Sequence, residues 1–158
     1  MRSGSWLTLS FIMGALTLAC EEPGGEPSAC DGLDERRMAI TREEFTPCAA
    51  EMLAALDRAR PAIERLLAGD DEARAAGREA LRALRGLVQK SGVEADARSV
   101  RPGELIVRWP DGRMRVFNYS VYQALVLYGA VLQYPNNDNF RDAVEAQNDA
   151  AESFRTFR

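Results

Sequence analysis

The stretch that decides the fold is residues 120–133, SVYQALVLYGAVLQ. Nine consecutive positions within it, residues 124–132, carry only aliphatic side chains, a tyrosine or a glycine. A helix that is apolar on every side is normally buried, and nine residues are too few to cross a bilayer core, which takes about 20. Ser120 is a suitable N-cap for such a helix. We therefore predict a helix over residues 121–133 at the centre of the core.

The residues that follow predict a turn and a last helix. The sequence YPNN at 134–137 interrupts the apolar run, and a helix is predicted over residues 138–157. Its apolar face consists of Phe140, Val144, Gln147, Ala151 and Phe154. The residues NNDN at 136–139 bring side-chain oxygens together as a calcium loop does. Because the central glycine and the distal glutamate of such a loop are missing, we interpret them as a turn and an N-cap.

The residues before the central helix are predicted to form a β-hairpin. Residues 104–109, ELIVRW, and residues 113–118, RMRVFN, both have the composition and alternation of strands. Between them the sequence PDG is typical of a tight turn, because glycine adopts a positive φ without steric penalty. Residues 93–100 are a candidate for a third strand.

A long helical segment is predicted further towards the N-terminus. Residues 41–44, TREE, have the pattern of a capping box that opens a short turn. Thr46 and Pro47 suit the N-cap and first position of a helix, and apolar residues keep helical spacing from there to residue 67. Because Pro61 lies inside this segment, we predict either a kink near residues 57–60 or two shorter helices.

A further helix is predicted over residues 71–90. Its apolar face consists of Ala76, Ala80, Leu81, Leu84, Leu87 and Val88. The sequence GDD at 69–71 separates it from the preceding helix, and Gly92 ends it. The short connection predicts an antiparallel helical pair. The predicted fold class is therefore α+β: mostly helical, with about four helices and a β-hairpin of two or three strands inserted in the middle of the chain.

The N-terminus has the pattern of an export signal. Residues 6–18 form an apolar run too short to span a bilayer, and Arg2 is the only charge before residue 20. Residues 16–20, LTLAC, resemble the end of a bacterial lipoprotein signal, in which a small residue precedes the cysteine that is lipidated. The resemblance implies removal of residues 1–19 and attachment of lipid, such as palmitate, to Cys20. Thr17 departs from the usual leucine, and an ordinary secretory signal is the alternative.

The residue after this cysteine bears on the destination of the protein. Glu21 stands where aspartate would resemble an inner-membrane retention signal of enteric bacteria. We therefore predict a lipid anchor in the outer membrane, on the periplasmic face. Retention in the inner membrane and exposure on the cell surface stay open as alternatives.

The formal net charge of −4 comes from the segment next to the anchor. Residues 20–35 contain six acids and no base, together with several prolines and glycines, which is typical of a flexible tether. Residues 36–158, which we interpret as one α+β domain, carry 18 acids and 19 bases. Because this domain is near neutral, nucleic acid is not an expected partner.

Two cysteines are left once Cys20 is assigned to the anchor. An even pair in an oxidising compartment favours a disulfide between Cys30 and Cys48. Such a bond would stabilise the fold by about 3 kcal/mol in the chain-entropy description. Two free thiols, one of them packed in the core, are the alternative.

No catalytic, cofactor or metal motif is recognisable. The chain contains no histidine, which argues against Ser-His-Asp and Cys-His nucleophile systems and against zinc sites that need imidazole. It contains no Walker loop and no GxGxxG motif. The sequence KSG at 90–92 matches a tripeptide of penicillin-binding proteins, but the SxxK motif is absent, so we interpret it as a helix end. We predict no enzymatic activity, no cofactor and no metal.

Arginines are the candidate contact residues, since 19 of the 20 basic residues are arginine. Guanidinium groups suit phosphates and carboxylates. One group lies around the predicted hairpin tip and comprises Arg108, Trp109, Asp111, Arg113 and Arg115. A second group forms a stripe on the helix over 71–90 and comprises Arg74, Arg78, Arg82 and Arg85. The alternative for both is a solvated surface, with Glu79 and Asp71 near enough to pair with the stripe.

Two functions are consistent with these features. The first is a membrane-tethered periplasmic lipoprotein that acts as a non-enzymatic binding or scaffold domain for an envelope protein. The second is a small inhibitor or immunity-type lipoprotein that blocks an enzyme with its hairpin tip. In both, the N-terminal lipid makes the membrane one partner, and the sequence names neither the protein partner nor the oligomeric state.

Overall fold

The computed structural model describes residues 27–36, 40–92 and 112–157. In chain order the helices are α1 (Leu33–Arg36), α2 (Arg42–Leu67), α3 (Ala73–Lys90), α4 (Gly112–Gln133) and α5 (Asn137–Phe157). α2 packs along α3 and α4 packs along α5, so the bundle consists of two helical hairpins. α2 and α4 contact each other, and each also contacts both helices of the opposite hairpin. α3 and α5 therefore lie at opposite edges of the bundle.

The prediction of an α+β fold is wrong, because the described residues contain no strand and form a mainly helical bundle. Residues 113–118, predicted as the second strand of the hairpin, lie in the first turns of α4. Residues 93–111, which include the predicted first strand and the candidate third strand, lie outside the described residues. With residues 113–118 helical, the predicted hairpin is not formed.

Residues 113–118 are helical because their apolar side chains extend a buried face that continues along the chain. Met114, Phe117 and Val121 are fully buried at helical spacing and lead into residues 124–132. Ser120, predicted as the N-cap, is an interior residue of α4 and is also buried. The local alternation favours a strand, but burial of the longer face favours the helix, and burial is the larger free energy.

α2 begins at a capping box and runs through both of its prolines. Glu44 N donates to Thr41 Oγ1 at 3.3 Å, and Thr41 N donates to Glu44 Oε2 at 3.0 Å. This box opens the long helix and not a short turn, so Thr46 lies inside α2 and is not its N-cap. The predicted alternative of two shorter helices is wrong, since α2 is one element across Pro61. Buried residues on both sides of this proline, including Ile63, hold the helix together.

The ends of α3 and α5 agree with the sequence prediction. α3 ends at Lys90, and Gly92 follows with a φ of 75°, a conformation that glycine adopts without strain. α5 begins after Asn136, whose Oδ1 accepts hydrogen bonds from the backbone N of Asp138 at 2.7 Å and of Asn139 at 3.1 Å. The interpretation of residues 136–139 as a turn and an N-cap is confirmed.

The core lies among the four long helices. Its largest fully buried side chains are Tyr128, Phe45, Phe117, Ile40, Met52, Leu56, Ile63, Leu84, Met114 and Val88. The predicted central helix contributes Ala124, Tyr128 and Val131 to this core. The opposite side of α4 is open to solvent, because Val126 is 50% exposed. α4 is therefore buried on one side and not all round.

One hydrogen-bond network joins three of the helices. The Tyr128 hydroxyl on α4 donates to Gln147 Oε1 on α5 at 2.6 Å. Gln147 Nε2 donates in turn to Asp57 Oδ1 on α2 at 2.7 Å. Tyr128 and Gln147 are buried, whereas Asp57 is at the surface. Because an unpaired buried polar group costs about 1–3 kcal/mol, the network favours one register of α4 and α5 against α2.

Burial is also visible in the acidity of Tyr128. Desolvation raises the pKa of Tyr128 to about 12, from the ordinary value of 10.0; the positive charge of Arg60 opposes this rise, and the carboxylates of Glu64 and Asp57 add to it. Because the pKa in the folded state lies above that in the unfolded state, the neutral hydroxyl stabilises the fold fully below about pH 10. This stabilisation is lost progressively as the pH rises towards about 12.

We expect Tyr128→Phe to lower the free energy of unfolding by about 1–3 kcal/mol at neutral pH, because Gln147 Oε1 loses its buried donor. Between about pH 10 and pH 12 the wild type loses up to about 1.4 kcal/mol per pH unit through Tyr128, and the variant lacks this loss. Urea unfolding across this pH range measures both effects. Parallel pH profiles for the two proteins would contradict the assignment of a buried, neutral hydroxyl.

The end of the predicted tether is attached to the bundle by a disulfide. The Sγ atoms of Cys30 and Cys48 lie 2.04 Å apart, and both residues are fully buried. Leu33, in α1, is also buried against the core. Residues 1–26 lie outside the described residues, and they include Cys20 and the predicted signal.

Polar contacts hold the same segment on α2 and α3. Ser28 Oγ donates to Glu51 Oε2 on α2 at 2.6 Å. Asp31 Oδ1 lies 2.7 Å from Lys90 Nζ at the end of α3, and the hydrogen bond from Lys90 lowers the pKa of Asp31 below its ordinary value. Residues 28–33 of the predicted tether therefore belong to the folded body. The N-terminal segment enters this body close to one end of the α2–α3 hairpin.

Candidate functional site

The residues around the predicted hairpin tip do not form a projecting loop. Arg108, Trp109 and Asp111 lie outside the described residues. Arg113 and Arg115 lie in the first turns of α4. Because these two arginines lie on a packed helix, no hairpin tip presents them to a partner, and their role as contact residues stays a prediction.

Arg115 is half-buried, whereas both the predicted contact at a hairpin tip and its alternative, a solvated surface, require an exposed side chain. Its Nε and Nη1 atoms are buried and have no hydrogen-bond partner among the described residues. The same holds for the side-chain amide of Asn118, one turn further along α4 and 3% exposed. Arg115 is therefore not one of the freely solvated arginines of this protein.

The arginine stripe of α3 borders a groove between α3 and α4. The groove has a volume of about 340 Å³ and is lined by Arg78, Leu81, Arg82, Arg85, Gly129, Leu132 and Gln133. We call it the arginine groove. Leu81 and Leu132 are buried and form an apolar floor, whereas the three arginines are exposed at its rim. The groove thus places positive charge beside apolar surface.

Arg74, the one arginine of the stripe that does not line the arginine groove, has a structural role. Arg74 Nη1 donates to the backbone carbonyl of Leu132, and its Nη2 lies 3.5 Å from Asp71 Oδ1. The Leu132 carbonyl belongs to the last turn of α4, where carbonyls have no donor within the helix. Arg74 therefore connects the start of α3 to the end of α4 and is not available for a ligand.

The other three arginines are available for a ligand. Arg78, Arg82 and Arg85 make no ion pair and no hydrogen bond in the part of the chain that the structure describes, and Glu79 is not paired with them. Their spacing of i, i+4 and i+7 places them on one side of α3. Neighbouring like charges repel one another, and a bound anion relieves this repulsion. Each guanidinium can bind a carboxylate or phosphate through two parallel hydrogen bonds.

A glycine brings α3 and α4 together beneath the groove. A Cβ built on Gly77 would lie 2.9 Å from Leu132 Cδ2, which is closer than side-chain carbons tolerate. A Cβ built on Gly86 in the same helix has no atom within 4 Å. The floor of the arginine groove therefore depends on the absence of a side chain at Gly77 but not at Gly86.

These two glycines form a matched pair for a test of the α3–α4 contact. We expect Gly86→Ala to raise the free energy of unfolding by about 1 kcal/mol, because alanine favours the helix. Gly77→Ala gains the same helix propensity, but the displacement of Leu132 costs about 1–3 kcal/mol, which offsets this gain in stability. Urea unfolding of both variants measures the difference. Equal stabilisation by the two substitutions would contradict the close approach of the helices at Gly77.

α5 carries acidic residues at the opposite edge of the bundle. Glu145, Asp149 and Glu152 are exposed, and none of them makes an ion pair or hydrogen bond within residues 27–36, 40–92 and 112–157. We call these three residues the acidic face. Asp149 and Glu152 also line a shallow groove of about 310 Å³ together with Val116 of α4. The sequence analysis did not single them out, because acids on a helix surface normally indicate solvation only.

The described residues do not assemble a metal site. They contain no group of three or more cysteine, aspartate and glutamate side chains placed to hold a metal ion. Among the helices of the described ranges, none combines the length and the hydropathy that crossing a membrane requires.

The chemistry that the arginine groove offers is reversible binding of an anionic group next to apolar atoms.

Comparison of the chain with models of protein families, with curated proteins and with solved structures finds no match. The surfaces of the bundle and the N-terminal sequence are therefore the features that bear on function.

Proposed function

We propose that this protein is a lipid-anchored periplasmic binding domain whose arginine groove docks an acidic segment of an envelope protein. In this proposal Cys20 carries the lipid, and the outer membrane holds the domain on its periplasmic face. The role is that of a scaffold and requires no catalytic group or cofactor.

The observation that carries the proposal is the set of three unpaired arginines along an apolar floor. At a rise of about 1.5 Å per residue, the seven steps along the helix from Arg78 to Arg85 extend over about 10 Å. Several separate carboxylates match this length better than one compact anion does. The apolar floor at Leu81 and Leu132 favours a ligand that also presents apolar atoms, as a polypeptide segment with acidic and aliphatic side chains does.

The N-terminal sequence supports the location. The LTLAC sequence at 16–20 resembles a lipoprotein signal, and the contact of Ser28 with Glu51 marks the start of the folded body. The segment from Cys20 to Ser28, eight steps along the chain, reaches at most about 30 Å when fully extended. A lipid on Cys20 would therefore keep the arginine groove close to the membrane surface, where other envelope proteins are concentrated.

The inhibitor hypothesis loses the feature on which it depends. It required a rigid hairpin with Asp111 at its tip, and residues 113–118 are helical. The binding-domain hypothesis has an independent feature in the arginine groove, so we retain it alone.

Photo-crosslinking in living cells tests the groove. A crosslinking residue at Gln133, which lines the groove without contributing its charge, should form a specific adduct with an envelope protein. Arg82→Glu in the same chain should reduce the adduct by about tenfold or more, because it places a negative charge where the ligand is acidic. Arg58→Glu, an exposed arginine of α2 outside the groove, is the matched control and should leave the adduct unchanged. Equal yields with all three chains would reject the groove as the binding site.

Cell fractionation tests the anchor. We expect Cys20→Ser to move the protein from the membrane fraction to the soluble periplasmic fraction, because the lipid is the only membrane attachment in this proposal. The same substitution should abolish incorporation of labelled palmitate. Continued membrane retention of the variant would show that Cys20 is not the attachment point.

A further inference from the structure

We infer that the acidic segment bound by the arginine groove is the acidic face of a second copy of this chain. The inference rests on the proposed function and names the partner of the same groove. α3 of one copy would pack beside α5 of the next, with Arg78, Arg82 and Arg85 opposite acids of the neighbouring molecule.

The two surfaces have complementary charge in the same pattern. The arginines follow one another at intervals of four and three residues, and so do Glu145, Asp149 and Glu152. Both sets lie on regular helices, so both extend over about 10 Å with charges at corresponding heights. Two helices lying side by side therefore bring each guanidinium opposite a carboxylate. All six side chains are exposed and unpaired within the described residues, so no existing ion pair has to be broken.

The position of the two surfaces prevents them from pairing within one molecule. α3 and α5 lie at opposite edges, with α2 and α4 between them. Each molecule therefore presents a basic edge to one neighbour and an acidic edge to another. An interface between two different surfaces is heterologous, and repetition of it forms a ring or an open chain.

The expected association in solution is weak. Exposed ion pairs each contribute little, so three of them alone support a Kd no tighter than about the millimolar range. Contact with the apolar floor at Leu81 and Leu132 adds to the three pairs. Confinement of lipid-anchored copies to one membrane surface raises their effective concentration, so the same contact forms more fully on the membrane than in dilute solution.

Sedimentation of the full mature chain with Cys20→Ser, which removes the lipid, tests the inference. The chain should self-associate reversibly, and raising the salt from about 50 to about 500 mM should weaken the association by about tenfold or more. Arg82→Glu and Asp149→Arg should each weaken it by a similar factor, because each places like charges opposite one another. Arg58→Glu, outside both surfaces, should have no effect. Urea unfolding of each variant verifies that its fold is intact.

A mixture of the two variants separates this interface from any other. The Arg82→Glu chain keeps its acidic face and the Asp149→Arg chain keeps its arginine groove, so the mixture should form heterodimers with the affinity of the wild type. Failure of the mixture to associate, or a wild type that is monomeric up to about 1 mM, would overturn the inference. If the wild type is monomeric while the Gln133 crosslink to another envelope protein still depends on Arg82, the proposed function holds and only the identity of the partner fails.

Discussion

The hydrogen-bond network from Tyr128 through Gln147 to Asp57 is the constraint on which the rest of the bundle depends. It links α4, α5 and α2, and its two buried members are shielded from the solvent that could otherwise replace a lost partner. A shift of α4 by one turn would leave Gln147 Oε1 without its donor in the core, at a cost of about 1–3 kcal/mol. The register that results brings Leu132 against Gly77, and this contact forms the floor of the arginine groove.

The features relevant to function are the charges that the bundle leaves unpaired. Arg74 is used to connect α3 to the end of α4, but the next three arginines of the stripe have no partner in the described residues. The acids of the acidic face are unpaired at the other edge. Because α2 and α4 separate the two edges, folding cannot neutralise them, and association with another molecule can.

The sequence predicted the bundle well where local signals act alone and poorly where two patterns compete. Gly92 and Asn136 marked helix ends, because their backbone and side-chain chemistry needs no distant partner. Residues 113–118 satisfy both a strand pattern and a helix pattern, so the choice depended on what they pack against. Pro61 predicts either a kink or two shorter helices, but α2 is one helix, because the proline removes one hydrogen bond while the packing of the whole helix is retained. The hairpin that would present the predicted contact residues is not formed, and their role as contacts stays a prediction.

By itself the sequence determined the helices that have clear start and stop signals and the apolar segment that enters the core. These properties depend on residues close together in the chain, so they can be predicted without knowledge of the tertiary structure. Only the tertiary structure decided that α4 extends back to Gly112, that Arg74 differs from Arg78, and that the basic and acidic surfaces lie at opposite edges. Those properties depend on contacts between helices far apart in sequence, and burial against a partner helix outweighs local preference there.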